Sequence, residues 1–556
     1  MVKFPKSLLS LFIYVLIFFG GSGVIAQIDA GISFDLQGYI FKEIAKGKTT
    51  ITVPPGRYRV KPNDGVHLAF KNLNGITIDA TGVEMICTET TRAITINNCQ
   101  NLNIKGLTID YDPLPFTQGR IVSMSEDKMT HIIQLFDGYP THGKISCKKY
   151  EIFKPDTHTL RYGSYFNGEI EKLSSGELKY TKAQTFASRA APEMVGDLIV
   201  TDFKSNYKGI IGHAVFIKKS KKTILDSVTL FGSNVFGFFE EECDESQYRH
   251  CVVDRRPPLT DLKERAYKRL RSTNADAFHS KHAVVGPAYL NCTARFQGDD
   301  CFAINGDFHM VVQSKGKRIR VLAKRELDIE AGDSVQIVDD NGNRLPDAYV
   351  ESVKRVGLAT KEEQERVANL PMHKGLKNSF SGAYEIELDH TVSLGFASAV
   401  CSANRIGNGF RVIGCHLGFN RSRGILVKAG NGIIQDNQID NCWMESIKLT
   451  PEFWWMEAGC SRSVTIKDNV ILNSGGHAIS VVSKTREDRI SPAGIHQNIL
   501  ITNNTIGNSR SPQILVTSTN GLVIKNNKIE ASPDESLDAI QVTESKNTEI
   551  SDNQIQ

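Results

Sequence analysis

One short phrase recurs along this chain and constrains its fold more than any other feature. From Gly75 onward, a β-branched run is followed by a polar turn rich in Asn and Gly and then by a second β-branched run. Examples are Ile76–Asp79, Leu102–Ile109, Ile433–Ile439, Val464–Ile471 and Ile499–Ile506. Alternating apolar residues bury one side of each strand, and Asn and Gly accept the left-handed backbone of tight corners. A spacing of about 20 to 30 residues is typical of stacked solenoid coils, so the sequence predicts an all-β, right-handed parallel β-helix.

Two stretches, 120–208 and 309–389, lose this phrase and are more highly charged. The second stretch contains alternating strands at Arg318–Ala323 and Ser334–Val338, and a turn at Asp340–Asn343. Such patterns favour antiparallel β-barrel-like regions inserted on one face of the solenoid, with a pair of long irregular loops as the alternative.

These boundaries predict six parts in the chain. They are a signal peptide at 1–26, an N-terminal cap and first coils at 27–119, an inserted region at 120–208, central coils at 209–308, a second inserted region at 309–389 and C-terminal coils at 390–556. An amphipathic segment at Leu36–Ala45 is expected to belong to the cap.

The N-terminal residues predict export. Lys3 and Lys6 precede the apolar run Leu8–Phe19, and small residues follow up to Ala26, which is the order found in a cleaved signal peptide. The run is shorter than the roughly 20 residues that a bilayer span needs. We therefore expect a periplasmic or secreted protein that is not bound to the membrane once the signal peptide has been cleaved.

The composition disfavours two other classes of function. The 66 Lys and Arg residues nearly balance the 62 Asp and Glu residues, and they form no dense basic stripe of the kind that nucleic-acid binding needs. The 11 cysteines contain no Cys-x-x-Cys pair, so a zinc site has little support and most of these residues are expected to be buried thiols. We therefore expect no nucleic-acid partner and no zinc site.

The densest acidic arrangement lies in the central coils. It combines Asn274–Asp276 with Gly298–Asn305, and Asp276 and Asp299 are 23 residues apart, about one coil. The carboxylates of Asp276, Asp299 and Asp300 are therefore expected to lie one above the other. Glycoside hydrolysis needs one protonated and one ionised carboxyl group, and crowded like charges separate their pKa values. Calcium binding and a solvated turn are the alternatives to catalysis.

The same residues are similar to the Asn-Thr-Asp and Gly-Asp-Asp motifs of polygalacturonases, which are inverting β-helix hydrolases, but no Gly-His-Gly follows Asp300. A second family resembles more of the chain, namely glycoside hydrolase family 110. The segments that resemble it are Asp110–Gly119, Asn274–His279, Gly298–Asn305, Asn420–Val427 and Trp454–Gly459. The order of these segments and the two inserted regions are also similar to that family.

The resemblance to family 110 implies an exo-acting α-1,3-galactosidase that inverts configuration and uses no metal or organic cofactor. Its catalytic aspartates correspond to Asp276, Asp299 and Asp300. We expect Asp276 and Asp300 to share the acid and base roles, with Asp299 supporting them or activating water. The expected partner is a carbohydrate, an α-galactoside-terminated glycan. The chain departs from the family at Asn305–Asp307, where a histidine and a glycine are expected, so its contacts to the sugar are expected to differ from those of the family.

Six further side chains are candidates for substrate binding, with structural packing or ion pairing as the alternative for each. They are His279, Asn305, Arg423, Trp454, Trp455 and Glu457. Tryptophan rings stack on the apolar faces of sugars, and charged groups form strong hydrogen bonds to hydroxyls.

Two other functions remain open at the level of sequence. One is a polygalacturonase-like hydrolase or a polysaccharide lyase, which acts on acidic chains; a lyase uses a Lys or Arg base and usually calcium. The other is a non-catalytic β-helix that binds polysaccharide. Geometry separates hydrolytic mechanisms, because inversion usually places the carboxyl groups about 6.5 to 9.5 Å apart and retention about 5 to 5.5 Å apart. Adjacent strand residues point to opposite faces, so Asp299 and Asp300 can both reach one site only through a turn or bulge.

The first prediction concerns the N-terminus. The mature protein is expected to begin at or near Gln27, because small residues end the apolar segment just before it. N-terminal sequencing of exported material measures this directly. Recovery of an intact Leu8–Phe19 segment from a membrane fraction would contradict it.

Overall fold

Three parallel sheets form the wall of a β-helix in the computed structural model, and the chain passes from one sheet to the next along each coil. The structure describes residues 31–141, 145–161, 168–183, 193–203, 210–257, 268–530 and 538–556. The predicted signal peptide and Gln27 lie outside these residues. The parallel β-helix predicted from the repeated phrase is confirmed.

Strands of the first sheet are Ile32–Ser33, Gly56–Val60, Val83–Cys87, Thr108–Tyr111, Thr229–Leu230, Val252–Val253, Thr293–Arg295, His416–Gly418, Gln438–Asp440, Val470–Leu472, Thr505–Gly507, Lys528–Ile529 and Gln554–Ile555. Those of the second sheet are Thr50–Thr52, Thr77–Asp79, Asn103–Lys105, Ile224–Asp226, Gln247–Arg249, Ala288–Leu290, Arg411–Ile413, Ile433–Gln435, Arg462–Lys467, His496–Thr502, Thr519–Lys525 and Lys546–Ser551.

The third sheet is the one that carries the acidic residues. Its parallel strands are Val66–Lys71, Arg92–Asn97, Val215–Lys218, Phe238–Glu241, Phe278–Lys281, Phe302–Asp307, Ile425–Val427, Ile447–Leu449, Ile479–Val481, Ile514–Thr517 and Ile540–Thr543. The short strand Glu457–Ala458 pairs antiparallel with Phe302–Asp307. Apolar side chains of all three sheets point inward and form one continuous core, whereas alternate residues of the third sheet line its outer face.

A ladder of asparagines fills the inner side of the corner between the second and first sheets. Each residue before the ladder position adopts a left-handed φ, as at Asp436, Asp468 and Asn503. The side-chain amide of Asn469 donates to Asn504 at 2.9 Å, and Asn504 donates to Asn527 at 2.9 Å. These bonds satisfy the buried polar groups at the corner, which apolar side chains could not do. The residue before each ladder asparagine turns the chain, and the ladder asparagine joins successive coils.

The first insertion is a six-stranded antiparallel sheet. Its strands are Phe116–Met124, Thr130–Leu135, Ile145–Phe153, Gly168–Lys172, Leu178–Lys182 and Leu198–Phe203. The predicted start at residue 120 was wrong, because the strand that leaves the β-helix already begins at Phe116 and pairs with Asp202.

The second insertion is a closed antiparallel barrel. Its strands are His309–Lys315, Arg318–Ala323, Ser334–Val338, Ala348–Leu358, Gly382–Leu388 and Ala399–Ser402, and it also carries the α-helix Lys361–Ala368 and the 3₁₀ helix Lys374–Ser379. The predicted end at residue 389 was wrong, because Ala399–Ser402 closes the barrel by pairing with both His309–Lys315 and Ser334–Val338.

A short amphipathic helix covers the first coils, as the sequence predicts. The helix Leu36–Ala45 begins after Asp35, whose side chain accepts a hydrogen bond from the Gly38 N–H, and it buries Leu36 and Ile40 against the core. Ten cysteines of the described residues are free and buried, which agrees with the prediction that most cysteines are buried thiols. Within the described ranges no helix has the length and apolar character of a membrane span.

The second prediction concerns the asparagine ladder. Asn504→Ala removes the side chain that bonds both Asn469 and Asn527 and leaves buried partners unsatisfied, so the free energy of unfolding should fall by about 1–3 kcal/mol or more. Chemical denaturation measures the loss. The control Asn520→Ala removes an exposed amide that accepts from Asn547 and should change stability by less than about 0.5 kcal/mol. Equal effects of the two substitutions would contradict a stabilising role for the ladder.

Candidate active site

Strand register brings three carboxylates together on the third sheet. Phe278 pairs with Phe302, so a coil here is 24 residues long and Asp276 stacks on Asp300 rather than on Asp299. One oxygen atom from each of Asp276, Asp299 and Asp300 lies within 4.8 Å of the others. Asp276 and Asp300 are buried, whereas the Asp299 side chain is 30% exposed. The predicted carboxylate cluster is present, but Asp276 is in register with Asp300 and not with Asp299.

A bend lets the adjacent aspartates share one site. Residues 298–301 form no strand and lead directly into Phe302–Asp307. A β-carbon at Gly298 would lie 2.8 Å from the carbonyl oxygen of Asn274 in the preceding coil, so a larger residue does not fit without a shift. The Asn420 amide donates to the carbonyl oxygen of Asp299 at 2.8 Å and to that of Arg423 at 2.7 Å. These contacts supply the turn that the sequence argument required.

The nearest oxygens are closer than the expected spacing for inversion. We expected Asp276 to face its partner at about 6.5 to 9.5 Å, but the structure brings one oxygen from each carboxylate within 4.8 Å. In-register stacking places Asp276 over Asp300 just before the neighbouring strands Phe278–Lys281 and Phe302–Asp307, and neighbouring strands are about 4.8 Å apart. The longer separation of the carboxyl groups across a bound sugar stays a prediction.

His279 and Asn305 form a hydrogen-bonded relay behind Asp276. Asn305 donates from Nδ2 to His279 Nε2 at 3.1 Å, and His279 Nδ1 lies 2.7 Å from Asp276 Oδ2. Because Nε2 accepts, the proton of the neutral ring is on Nδ1 and is donated to Asp276. The ring packs on Phe236 with a centroid distance of 4.9 Å. Both residues were predicted to bind sugar, and in this structure their polar atoms orient Asp276.

Burial raises the pKa of Asp276 to about 6. The hydrogen bond from His279 opposes this rise, and the charges of Asp299 and Asp300 reinforce it. Since these carboxyl groups interact strongly, the titration belongs to the cluster as a whole. A carboxyl group that keeps its proton to nearly neutral pH beside other carboxyl groups is the arrangement that general acid–base catalysis requires.

Two arginines bind the paired aspartates. The Arg423 main-chain N–H donates to Asp300 Oδ1 at 2.9 Å, and its guanidinium Nη1 donates to Oδ2 at 3.0 Å. Arg421 Nη2 lies 2.8 Å from Asp299 Oδ2. Burial alone would lower the pKa of Arg423, but the charges of Asp300 and Glu452 raise it. Arg423 was predicted as a site residue; Arg421 was missed, although it lies in the same family-like segment.

Alternating charges extend from Arg423 to Glu457. Arg423 donates to Glu452 at 3.0 Å, and Lys428 lies 3.0 Å from both Glu452 and Glu457. Burial would raise the pKa of Glu457, but Lys428 and Lys324 lower it to about 2. Glu457 was predicted to contact sugar, and in the structure it forms an ion pair with Lys428. Sequence reasoning missed Glu452 and Lys428, because no local motif contains both residues, although they are one coil apart.

The first insertion also reaches the cluster. Glu151, on its strand Ile145–Phe153, lies 3.8 Å from Arg421 and accepts a hydrogen bond from the buried Arg271 at 2.9 Å. Arg421 therefore lies between a residue of the insertion and Asp299. This insertion is part of the support of the site, a role that no local sequence motif indicated.

The two predicted tryptophans lie at one side of the site and have different surroundings. Trp455 stacks on His373 of the barrel with a centroid distance of 4.2 Å. Trp454 is 52% exposed and lines a cleft together with Glu452. Trp454 is thus the one whose ring is open to a ligand in that cleft.

The three aspartates are also an arrangement that a divalent cation could bind. Carboxylate oxygens are the ligands that calcium and magnesium prefer. Two of the three are already paired with Arg421 and Arg423, and these guanidinium groups supply the positive charge that a metal would otherwise bring. The chemistry of this cluster is therefore compatible both with proton transfer and with cation binding.

Comparison with known proteins connects this geometry to a class of enzyme. The chain is 22% identical over 496 residues to α-1,3-galactosidase B of Bacteroides thetaiotaomicron, covering 83% of this chain and 74% of that protein. It is 20% identical over 536 residues to α-1,3-galactosidase A of Bacteroides fragilis, covering 87% and 82%. The predicted resemblance is confirmed. It extends over most of the chain.

Two further comparisons concern the fold. The family profile described as right handed beta helix region matches residues 455–556, so the fold is a right-handed parallel β-helix. Among solved structures, the chain is similar to the A-module of the Azotobacter vinelandii mannuronan C-5 epimerase AlgE6, with 12% identity, a TM-score of 0.41 and coverage of 96% and 97% of the two chains. It is also similar to the family 28 exopolygalacturonase of Yersinia enterocolitica, with 10% identity, a TM-score of 0.35 and coverage of 92% and 74%.

The third prediction concerns the stability cost of the buried acid. Folding raises the pKa of Asp276 from 3.8 to about 6. The contribution of the protonated carboxyl group to the free energy of unfolding is therefore complete below about pH 4 and is lost as the pH rises through 6. Asp276→Asn resembles the protonated acid at every pH. The melting temperature of the variant relative to wild type should therefore increase from pH 4 to pH 7.5, as measured by scanning calorimetry.

Asp436→Asn is the matched control for this measurement. Asp436 is an exposed corner residue with a φ of 56°, a conformation that Asn also accepts. Its melting temperature should follow that of wild type across the same pH range. A constant difference between Asp276→Asn and wild type at all pH values would contradict the raised pKa.

Proposed function

We propose that this protein is an exo-acting, inverting glycoside hydrolase that releases terminal α-1,3-linked galactose from glycans. The observation that carries the proposal is the cluster of Asp276, Asp299 and Asp300, in which a buried carboxyl group has a pKa of about 6. The similarity to α-1,3-galactosidases over most of the chain supports both the reaction and the sugar. The N-terminal residues support export to the periplasm or the medium.

The proposed reaction uses the cluster as paired acid and base. One carboxyl group donates its proton to the glycosidic oxygen while the bond from that oxygen to the anomeric carbon breaks. A second, ionised carboxylate takes a proton from the water that attacks the anomeric carbon. The products are galactose and the shortened glycan, and one proton has passed from water to the leaving oxygen.

The contacts suit Asp276 and Asp300 to these two roles. Asp276 retains a proton to about pH 6, and His279 holds its carboxyl group in one orientation. Asp300 accepts two hydrogen bonds from Arg423, which suits a carboxylate acting as base. Asp299, partly exposed and bound to Arg421, is placed to support them or to help orient the water.

Inversion is supported by the resemblance rather than by spacing. The closest oxygens of the cluster are within 4.8 Å, whereas most inverting enzymes separate the two groups by about 6.5 to 9.5 Å. The configuration of the first product is therefore the sharpest test of this part of the proposal.

The fourth prediction concerns turnover and stereochemistry. Asp276→Asn, Asp299→Asn and Asp300→Asn each keep side-chain size but remove a titrating group, so each should lower kcat on an α-1,3-galactoside by at least about 100-fold. Asp436→Asn again serves as the control and should retain wild-type turnover. Proton NMR of the nascent sugar should show the β anomer first.

Two results would count against this prediction. If the α anomer appears first, the enzyme retains configuration and a carboxylate attacks the sugar directly. If all three variants keep nearly normal turnover, the aspartate cluster has no part in the reaction.

The fifth prediction separates proton transfer from metal binding. If the arginine-paired carboxylates act only on protons, galactose release should survive prolonged dialysis against a chelator. Rates are compared before and after dialysis, and after addition of calcium or magnesium. Loss of activity that calcium alone restores would favour the metal-dependent alternative, and assays on uronate chains for an unsaturated product would then test for a lyase.

A further inference from the structure

A second recognition region adjoins the aspartate cluster. A cleft of about 830 Å³ lies on the outer face of the third sheet, on the side of the C-terminal coils. Outward side chains of four successive strands form its floor; they include Lys448, Ser480, Leu515 and Gln541. Four strands cover about 14 Å along the β-helix axis, and the volume is within the range of ligand sites in proteins.

Two ion pairs connect the wall of the cleft with the aspartate cluster. Glu452 lines the cleft and accepts a hydrogen bond from Arg423 at 3.0 Å, and Arg423 binds Asp300 at 3.0 Å. A molecule in the cleft can therefore extend towards the site where the glycosidic bond is broken. The barrel forms part of the wall through Pro371.

The side chains of the cleft suit a neutral, hydroxyl-rich chain. Trp454, 52% exposed, and Ile490, 44% exposed, offer apolar surfaces for the faces of sugar rings. Gln541 offers an exposed amide for hydroxyl groups. The combination of ring-sized apolar surfaces and separate polar groups is typical of carbohydrate sites.

Both lysines that line the cleft are paired with carboxylates. Lys448 lies 2.6 Å from Glu445, and Lys484 lies 2.9 Å from Asp488. Arg486 donates to the main-chain carbonyl of Ala397 in the segment that joins the barrel strands. A polyanionic chain would have to compete with these carboxylates for the two lysines, whereas a neutral chain leaves both pairs intact.

We propose that this cleft binds the part of the substrate that remains after galactose has left, a neutral oligosaccharide or polysaccharide chain of several sugars. The inference rests on the proposed function for the position of the bond that is broken. The preferred substrate is then a longer galactose-terminated chain rather than a small galactoside. Its terminal galactose lies at the aspartates, and the following sugars lie along the floor of the cleft towards Gln541.

The first experiment varies substrate length. Neutral oligosaccharides of two to six sugars with a terminal α-1,3-linked galactose are compared by kcat/KM for galactose release. The value should rise at least tenfold with length and then become constant once the cleft is filled. The same series with uronate residues in the chain should be cleaved less efficiently.

Substitutions in the floor then locate the effect. Leu515→Arg places a long charged side chain in the cleft, and Gln541→Ala removes an exposed amide at its far end; the second change carries little risk to folding. In both variants the ratio of kcat/KM for the longest to the shortest substrate should fall at least fivefold. Tyr349→Ala removes an aromatic ring that is 61% exposed on the barrel, outside the cleft, and should keep the wild-type ratio.

Calorimetry with the same neutral chains lacking the terminal galactose tests the cleft without any hydrolysis. Wild type should bind them, and Leu515→Arg and Gln541→Ala should weaken the affinity at least fivefold. Binding without galactose release from any substrate would refute the proposed function and leave the cleft assignment standing. Galactose release that is independent of length, with no calorimetric binding, would overturn the inference, as would tighter binding of uronate chains.

Discussion

In-register stacking of successive coils is the constraint on which the rest of this structure depends. Parallel pairing places Phe278 beside Phe302 and fixes the coil at 24 residues, which brings Asp276 over Asp300. A slip of one residue would turn every alternate side chain to the other face. The buried aromatic and aliphatic residues inside the coils oppose such a slip and so hold the carboxylates together. The asparagine ladder opposes it in the C-terminal coils.

Crowded carboxylates raise the free energy of the folded state unless cations compensate them. Arg421 and Arg423 bind Asp299 and Asp300, and the alternating pairs continue through Glu452 and Lys428. Among the described residues Asp276 pairs with His279 rather than with an arginine or lysine, and burial raises its pKa to about 6, with the charges of Asp299 and Asp300 reinforcing the rise. Burial and different partners therefore give chemically identical side chains different environments.

Both insertions contact residues at or next to the site. Glu151 of the first insertion lies beside Arg421, and Lys324 of the barrel donates to Asp307 at 2.7 Å and to the main chain at Trp455 and Met456. Both contacts connect a region outside the solenoid with a segment next to the carboxylates. A plain β-helix would present the aspartates on an open face, whereas here the barrel also supplies one wall of the neighbouring cleft.

The sequence by itself determined the parallel β-helix, the approximate positions of both insertions, the N-terminal helix and the three aspartates, because each depends on local periodicity or on spacing of about one coil. Only the tertiary structure decided that Asp300 is the residue stacked on Asp276, that His279 and Asn305 orient the acid, and that the barrel extends to Ser402. Glu452 and Lys428 escaped the sequence argument for the same reason. Their roles depend on contacts between neighbouring coils, and no local pattern encodes which charged side chain of the next coil each of them will meet.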